Sequence, residues 1–153
     1  MVDYNKLSLQ LCFGLEEEFQ ALRQLHKVAM IDAVVKSIGE WNDELQHKRL
    51  LKNFEKSFKS LTFIEYENKI IGSINVREEL FEDEGRAFHY VEHFYLYPEF
   101  QKYGIGSWLL QNHVPRVSRL SYLKHDEKAS RFYAKNGFEV YTQDDYQNYA
   151  QRT

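Results

Sequence analysis

The chain opens on an alternation. Leu7, Leu9, Leu11 and Phe13 are separated by Ser8, Gln10 and Cys12, a period of two that predicts a strand from Leu7 to Phe13, closed by Gly14. The period then lengthens. Leu15, Phe19, Leu22, Leu25 and Ala29 follow helical spacing, so a helix is expected from Leu15 to Met30. A second helix is expected from Asn42 to Phe58, with Leu45, Leu51, Phe54 and Phe58 turned inward and Asn42 or Asp43 as its cap. The β-rich runs Leu61 to Tyr66 and Ile70 to Val76, separated by Glu67-Asn68-Lys69, predict a hairpin. An acidic loop should follow, holding Glu78, Glu79, Glu82, Asp83, Glu84 and Gly85, and then a long aromatic strand from Ala87 to Tyr97.

The next helix is predicted from Gly104 to about Val114, with Ile105, Trp108, Leu109 and Asn112 on one face. Leu120 to Leu123 reads as a short strand, and Asp126 to Asn136 as a short helix ended by Gly137 in the C-cap position. Phe138 to Thr142 is the last predicted strand, followed by a polar and aromatic tail. The order is βααβββαβαβ. No repeat, low-complexity tract or linker interrupts it, so residues 1–153 are expected to form one domain. Strands joined first by hairpins and later through helices predict an α/β fold, a mixed sheet with helices on its faces.

Composition removes several function classes. A chain of 153 residues with 43% hydrophobic content is long enough to bury a core. Its net charge of -3 gives no basic face for phosphates, so no nucleic-acid partner is expected. Cys12 is the single cysteine, which excludes an intramolecular disulfide and points to a reducing, cytoplasmic setting. Among Leu9, Leu11 and Phe13 it reads as a small buried hydrophobe rather than a nucleophile. No secretory pattern is present and no apolar run is long enough to cross a bilayer, so no membrane partner is expected. The six His are scattered, and His89 and His93, four apart, lie in a strand rather than on a helix. No metal site is expected. Aromatics reach 16%, with eleven Tyr and eleven Phe, which suits a Phe-rich core with Tyr at its margins. The aromatics from Tyr141 to Tyr149 are candidates for a homodimer contact.

The strongest local signal is Gln101-Lys102-Tyr103-Gly104-Ile105-Gly106, between a strand and a helix. Two glycines there let a phosphate approach the backbone without a Cβ clash, and the helix dipole adds partial positive charge. A diphosphate is the natural ligand. Lys-Ser or Lys-Thr does not follow Gly104, so the pattern is not a P-loop, and the third glycine of a dinucleotide fingerprint would fall at Leu109.

From Tyr97 through Ser107, with Leu109-Leu110 after it, the chain resembles the acetyl-CoA motif of the GNAT superfamily of N-acetyltransferases, Gln/Arg-x-x-Gly-x-Gly/Ala. Ala129, Phe132-Tyr133 and Gly137-Phe138 resemble that family's second signature, and the element order is similar from about Leu7 to Tyr141. The resemblance implies a GNAT-like, mostly antiparallel sheet flanked by helices and splayed between strands 4 and 5, with acetyl-CoA as cosubstrate and no metal. It implies that backbone groups of Leu96 and Tyr97 lie along the pantetheine arm. Backbone N–H groups of Gln101, Lys102, Tyr103, Gly104, Ile105, Gly106 and Ser107 would hold the pyrophosphate. Asp126 stands where the family often has Asn at the cofactor; Asp caps a helix equally well, but a carboxylate cannot donate a hydrogen bond.

The chemistry sets what remains. An amine attacks a thioester only when neutral, so a base is required, and the departing thiolate profits from an acid. Tyr133 matches the family tyrosine that protonates sulfur; its plainer reading is a core-facing aromatic. For the base, the family position falls on Tyr90, which is no acid. Glu92, two residues on and so on the same strand face, is the candidate base, or else a surface carboxylate paired with Lys or Arg. His89, His93 and His125 are secondary candidates. Trp41, in the loop between the first two helices, would wall the acceptor site or staple the helix beside it. The acidic loop would attract a cationic amine or serve as a solvated turn. The expected activity is acetyl transfer to a primary amine, on a small molecule or peptide, with a non-catalytic CoA-binding module as the alternative.

Overall fold

Strand β1 (Leu7–Leu11) leads into helix α1 (Glu16–Ile38), which is followed by α2 (Asp43–Ser57), β2 (Leu61–Tyr66) and β3 (Lys69–Phe81). Then come β4 (Arg86–Leu96), α3 (Ile105–Asn112), β5 (Ser118–Leu123), α4 (Glu127–Lys135), β6 (Glu139–Gln143) and β7 (Gln147–Arg152). This computed structural model describes residues 2–81 and 85–153. The strands form a seven-stranded sheet in the order β1-β2-β3-β4-β5-β7-β6. Only β4 and β5 pair in parallel; every other neighbouring pair is antiparallel, the mixed and mostly antiparallel sheet expected.

Local chemistry explains most of the boundaries. Glu67 and Asn68 both take positive φ, 50° and 66°, the backbone of a two-residue hairpin whose twist suits the strands it joins. Asn42 caps α2 by accepting from the Leu45 N–H at 3.0 Å. Helix α1 continues past the expected end at Met30, because no Gly or Pro interrupts the apolar run to Val35. Gly39 ends it in the left-handed region, φ 90°, with its N–H on the Val35 carbonyl at 2.8 Å. Two further expectations change. Glu78 and Glu79 belong to β3, opposite His89 and Phe88, rather than to a loop; Glu82, Asp83 and Glu84 lie outside the described residues. The tail is β7, inserted between β5 and β6. Asp144 makes the turn into it, accepting from the N–H groups of Tyr146 and Gln147 and from the Tyr149 hydroxyl.

A core lies on each face of the sheet. On one, Phe19, Leu22 and Leu25 of α1 and Leu50 and Phe54 of α2 pack on Leu61 and Phe63. On the other, Ile105, Leu109 and Leu110 of α3 pack on Ile64, Ile71, Ile74, Val91 and Leu96, with Phe132 and Tyr133 of α4 at the margin. Alternation along β2, β3 and β4 feeds both cores at once, so the site between the two halves of the sheet has a packed wall on each side.

Candidate active site

After β4 the chain makes a short 3-10 turn, Pro98–Tyr103, and reverses at Gly104, whose φ of 78° is left-handed. A side chain there would be strained; glycine is not. The first bond of α3 runs from the Trp108 N–H to the Gly104 carbonyl at 3.0 Å. The N–H groups of Ile105, Gly106 and Ser107 therefore have no carbonyl of their own helix to reach, and glycine at the N-cap offers no side chain to accept from them. Three aligned donors at a positive helix end fit a diphosphate. Gly106 serves packing, since a Cβ on it would stand 2.9 Å from the Phe132 ring of α4. Gln101 turns its side chain inward: Nε2 donates to the Leu96 carbonyl at 2.9 Å while Oε1 accepts from Lys128 at 2.6 Å. Lys102 extends its ammonium to 5.6 Å from the Tyr103 ring, at the loop surface. Ser107 accepts from Asn136 Nδ2 at 3.1 Å.

Strands β4 and β5 pair only at His89 with Ser118 and at Tyr90 with Arg119. From Leu120 onward β5 pairs with β7, so β4 from Val91 to Leu96 keeps β3 on one side and an open split on the other. The Tyr97 N–H bonds to the Ile71 carbonyl at 2.9 Å, and the Tyr97 carbonyl accepts from Phe100 at 2.8 Å. Both backbone groups of Tyr97 are thus used inside the protein. By the alternation of an antiparallel ladder, the backbone groups of Leu96 point the other way, toward the split, where the carbonyl accepts from Gln101 Nε2 and the N–H is left for a ligand.

Across that split stands Tyr133. Its ring stacks on Tyr122 at 5.4 Å and meets Phe132 and Phe138 edge-on. Burial pushes its phenol well above the ordinary range, so it is a proton carrier at neutral pH. Asp126 caps α4, accepting from the Ala129 N–H at 3.0 Å, which commits one of its oxygens to the helix.

The other face of the split is shaped by a bulge. Ser73 lies opposite Tyr95 and Asn75 opposite Glu92, so one residue of β3, Ile74, meets two of β4, His93 and Phe94. The bulge is at His93, which takes φ 49°. In a regular strand Glu92 and His93 would face opposite ways. Here Val91 and Phe94 both pack into the α3-side core, and Glu92 and His93 both turn toward α1 and α2. Ser73 Oγ holds the bulge by donating to the His93 carbonyl at 2.7 Å. No bulge lies between Tyr90 and Glu92, so these share a face as expected. The Glu92 carboxylate is ion-paired with Arg77 Nε at 3.1 Å, and Arg77 also holds Glu79 at 2.6 Å. Tyr90 donates its hydroxyl to Ser121 Oγ across the strands at 3.3 Å.

His93, a secondary base candidate from the sequence, is drawn into the same cluster. It is 8% exposed. Its Nδ1 lies 3.4 Å from the Tyr95 hydroxyl, and its buried Nε2 has no partner among the described residues. Burial drives its pKa below the ordinary value, with Glu92 opposing and Arg77 reinforcing, so it is a neutral imidazole. His26 of α1, whose ring lies 5.4 Å from Tyr95, is driven down to about 4 by burial and by His93. Tyr95 is raised strongly by burial, and the Tyr133 phenol is among the groups it senses. Trp41 closes the column, with its ring 5.4 Å from His26 and Nε1 on Asp43 at 2.7 Å. It lines a small cavity with His26, Lys27 and Gln46. His89 pairs loosely with Glu78 at 3.9 Å, outside this cluster. Among the described residues no group of His, Cys, Asp and Glu has the arrangement of a metal site.

A family model described as an acetyltransferase (GNAT) domain matches residues 59–140, more than half of the chain. The chain belongs to the GNAT acetyltransferase family. Among curated proteins none matches it in sequence. Solved structures extend the likeness in fold. PH1933 from Pyrococcus horikoshii OT3 is 17% identical, with 96% of this chain and 98% of that one covered and a TM-score of 0.72. The PaiA N-acetyltransferase from Thermoplasma acidophilum, in complex with coenzyme A, is 16% identical over 96% and 98%, TM-score 0.69. Arabidopsis thaliana Naa50, in complex with the bisubstrate analogue CoA-Ac-MVNAL, is 19% identical over 97% and 99%, TM-score 0.62. In this GNAT chain the matched span runs from just before β2 into β6, and so contains the split, the glycine turn and Tyr133.

Proposed function

We propose that this protein transfers an acetyl group from acetyl-CoA to a primary amine by direct attack in a ternary complex. The observation that carries the reading is the uncapped N-terminus of α3 standing at the mouth of the β4–β5 split. The N–H groups of Ile105, Gly106 and Ser107 would hold the diphosphate, and the Leu96 backbone the pantetheine arm. Acetyl-CoA supplies an activated acyl group. Two of the similar structures, PaiA with coenzyme A and Naa50 with its CoA–peptide analogue, support this reading.

The protein's own groups divide the work. An N–H of β4 facing the split polarises the acyl carbonyl. A base takes a proton from the amine; the C–N bond forms as the C–S bond breaks, and Tyr133 gives its proton to sulfur. Glu92, or a water it holds, is one base, with Arg77 matching its charge. His93 is the other, because the bulge brings an unpartnered, neutral imidazole nitrogen to the same face. Trp41 and His26 would then border the acceptor. A small-molecule amine and a peptide N-terminus are both accommodated by this reading.

The second reading is a module that binds CoA without turnover, favoured by Tyr90 at the family's acid position and by the committed Glu92–Arg77 pair. Thiol release from acetyl-CoA over a panel of amines and peptides separates the two. Turnover that falls on Tyr133→Phe supports the enzyme. Tight CoA binding with no thiol release on any amine supports the module.

A further inference from the structure

The first residues of the described chain are tied to the glycine turn rather than left loose. Val2 is buried in the α3-side core, at 8% exposure. The Asp3 N–H donates to the Tyr66 hydroxyl at 3.2 Å, and the Asp3 side chain accepts from the Asn5 N–H to start a short turn at Tyr4–Lys6. Tyr4 then touches the cofactor loop twice. Its ring stacks on Trp108 of α3, 5.5 Å between centroids and 19° between planes. Its hydroxyl donates to the Tyr103 carbonyl at 2.6 Å, a contact spanning 99 positions. A Cβ built on Gly104 would come within 3.1 Å of that same hydroxyl.

A peptide unit is planar, so fixing its carbonyl fixes the direction of its N–H and of the chain beyond it. The Tyr103 carbonyl belongs to the peptide that enters Gly104, where the chain turns left-handed into α3. Tyr4 thus holds the residue before the turn through oxygen and a residue one turn after it through its ring. We propose that Tyr4 is a positioning residue for the coenzyme loop, holding the Tyr103–Gly104 peptide so that the α3 N-terminus is presented to the diphosphate. The proposal rests on the acetyl-CoA reading above.

Titration calorimetry of the full chain with CoA tests both and keeps them apart. If the wild type does not bind CoA, the coenzyme reading falls and this proposal with it. If it binds, Tyr4→Phe, which keeps the ring on Trp108 and removes only the hydroxyl, is expected to weaken CoA by about two- to tenfold, the worth of one neutral hydrogen bond. Tyr4→Leu, which also loses the stack, is expected to weaken it further. In turnover the change should fall on KM for acetyl-CoA rather than on kcat at saturation. An affinity for CoA unchanged in Tyr4→Phe overturns the proposal. So does a loss of affinity that comes only with a melted fold by circular dichroism, or a fall in kcat as large as the rise in KM.

Discussion

The acid role proposed for Tyr133 depends on its surroundings. Packed among Tyr122, Phe132 and Phe138, its phenol is pushed up by burial and holds its proton at neutral pH. Tyr133→Phe should lower kcat by about a hundredfold while CoA affinity stays near that of the wild type; an unchanged kcat would remove the acid role. The two base candidates give different pH profiles. If His93 takes the proton, His93→Asn abolishes the rising limb of kcat/KM and Glu92→Gln leaves it in place; if Glu92 does, the pattern reverses. A stability effect follows from His26. Its folded pKa of about 4 lies below the ordinary 6.5, so between these values the unfolded chain binds a proton that the folded chain refuses. The stabilisation is complete above pH 6.5 and is lost as pH falls toward 4, at up to about 1.4 kcal/mol per unit. His93, also held below its ordinary value, adds to the same limb. Urea midpoints measured from pH 7 down to 4.5 should therefore fall less in His26→Gln than in the wild type. Of these side chains, Tyr133 was legible from its motif and Glu92 from its type and spacing. His93 was named only as a secondary candidate, and its sharing a face with Glu92 was not legible, because alternation puts neighbours on opposite faces and the bulge that joins them depends on the pairing of β3 with β4.

Among the elements, α3 and α4 are the ones the proposed chemistry uses, and each starts from a different device. Helix α3 starts on a glycine and leaves its first donors open; α4 starts on Asp126, which spends a carboxylate oxygen on the Ala129 N–H. Asp126→Ala should cost about 1 kcal/mol, read as a lower thermal midpoint. Their contact point is as narrow as sequence allows. A methyl on Gly106 would press within 2.9 Å of Phe132, so Gly106→Ala should drive α3 from α4 and weaken CoA. Calorimetry showing wild-type CoA affinity in Gly106→Ala would mean that α3 can shift without moving its donors. The glycine turn, the hairpin at Glu67-Asn68 and the cap at Asn42 were readable, because each satisfies backbone groups a few residues away; the cap at Gly39 was not, since the helix was expected to end at Met30.

For the molecule as a whole, β7 carries more than its composition announces. Only Ala150 and Arg152 are buried along it, so no apolar alternation marks it as a strand; its partners on both sides, β5 and β6, make it one. Arg152, 4% exposed, then ties the sheet to the far end of α3. Its Nε donates to the Arg116 carbonyl at 2.9 Å and its Nη2 to those of Leu110 at 3.0 Å and Pro115 at 3.1 Å. A cation among C-terminal carbonyls is favourable, and removing it strands several buried acceptors at once. Arg152→Met should cost about 2–4 kcal/mol in urea denaturation with an unchanged m-value. A loss below about 0.5 kcal/mol, the range of ordinary surface changes, would show that those carbonyls find other donors.

The elements, their caps, the glycine turn and the family motif are written in runs of a few residues, where hydrogen bonds close between near neighbours and periodicity records which face is buried. The joining of Glu92 with His93, the Arg77 pair, the place of β7 and the clasp of Tyr4 on Tyr103 are written nowhere locally. Most arise between distant positions, such as Arg77 with Glu92, 15 residues apart, and Tyr4 with Tyr103, 99 apart. Which of many chemically equivalent partners meet over such distances is settled only when both cores have packed and the register of the strands is set.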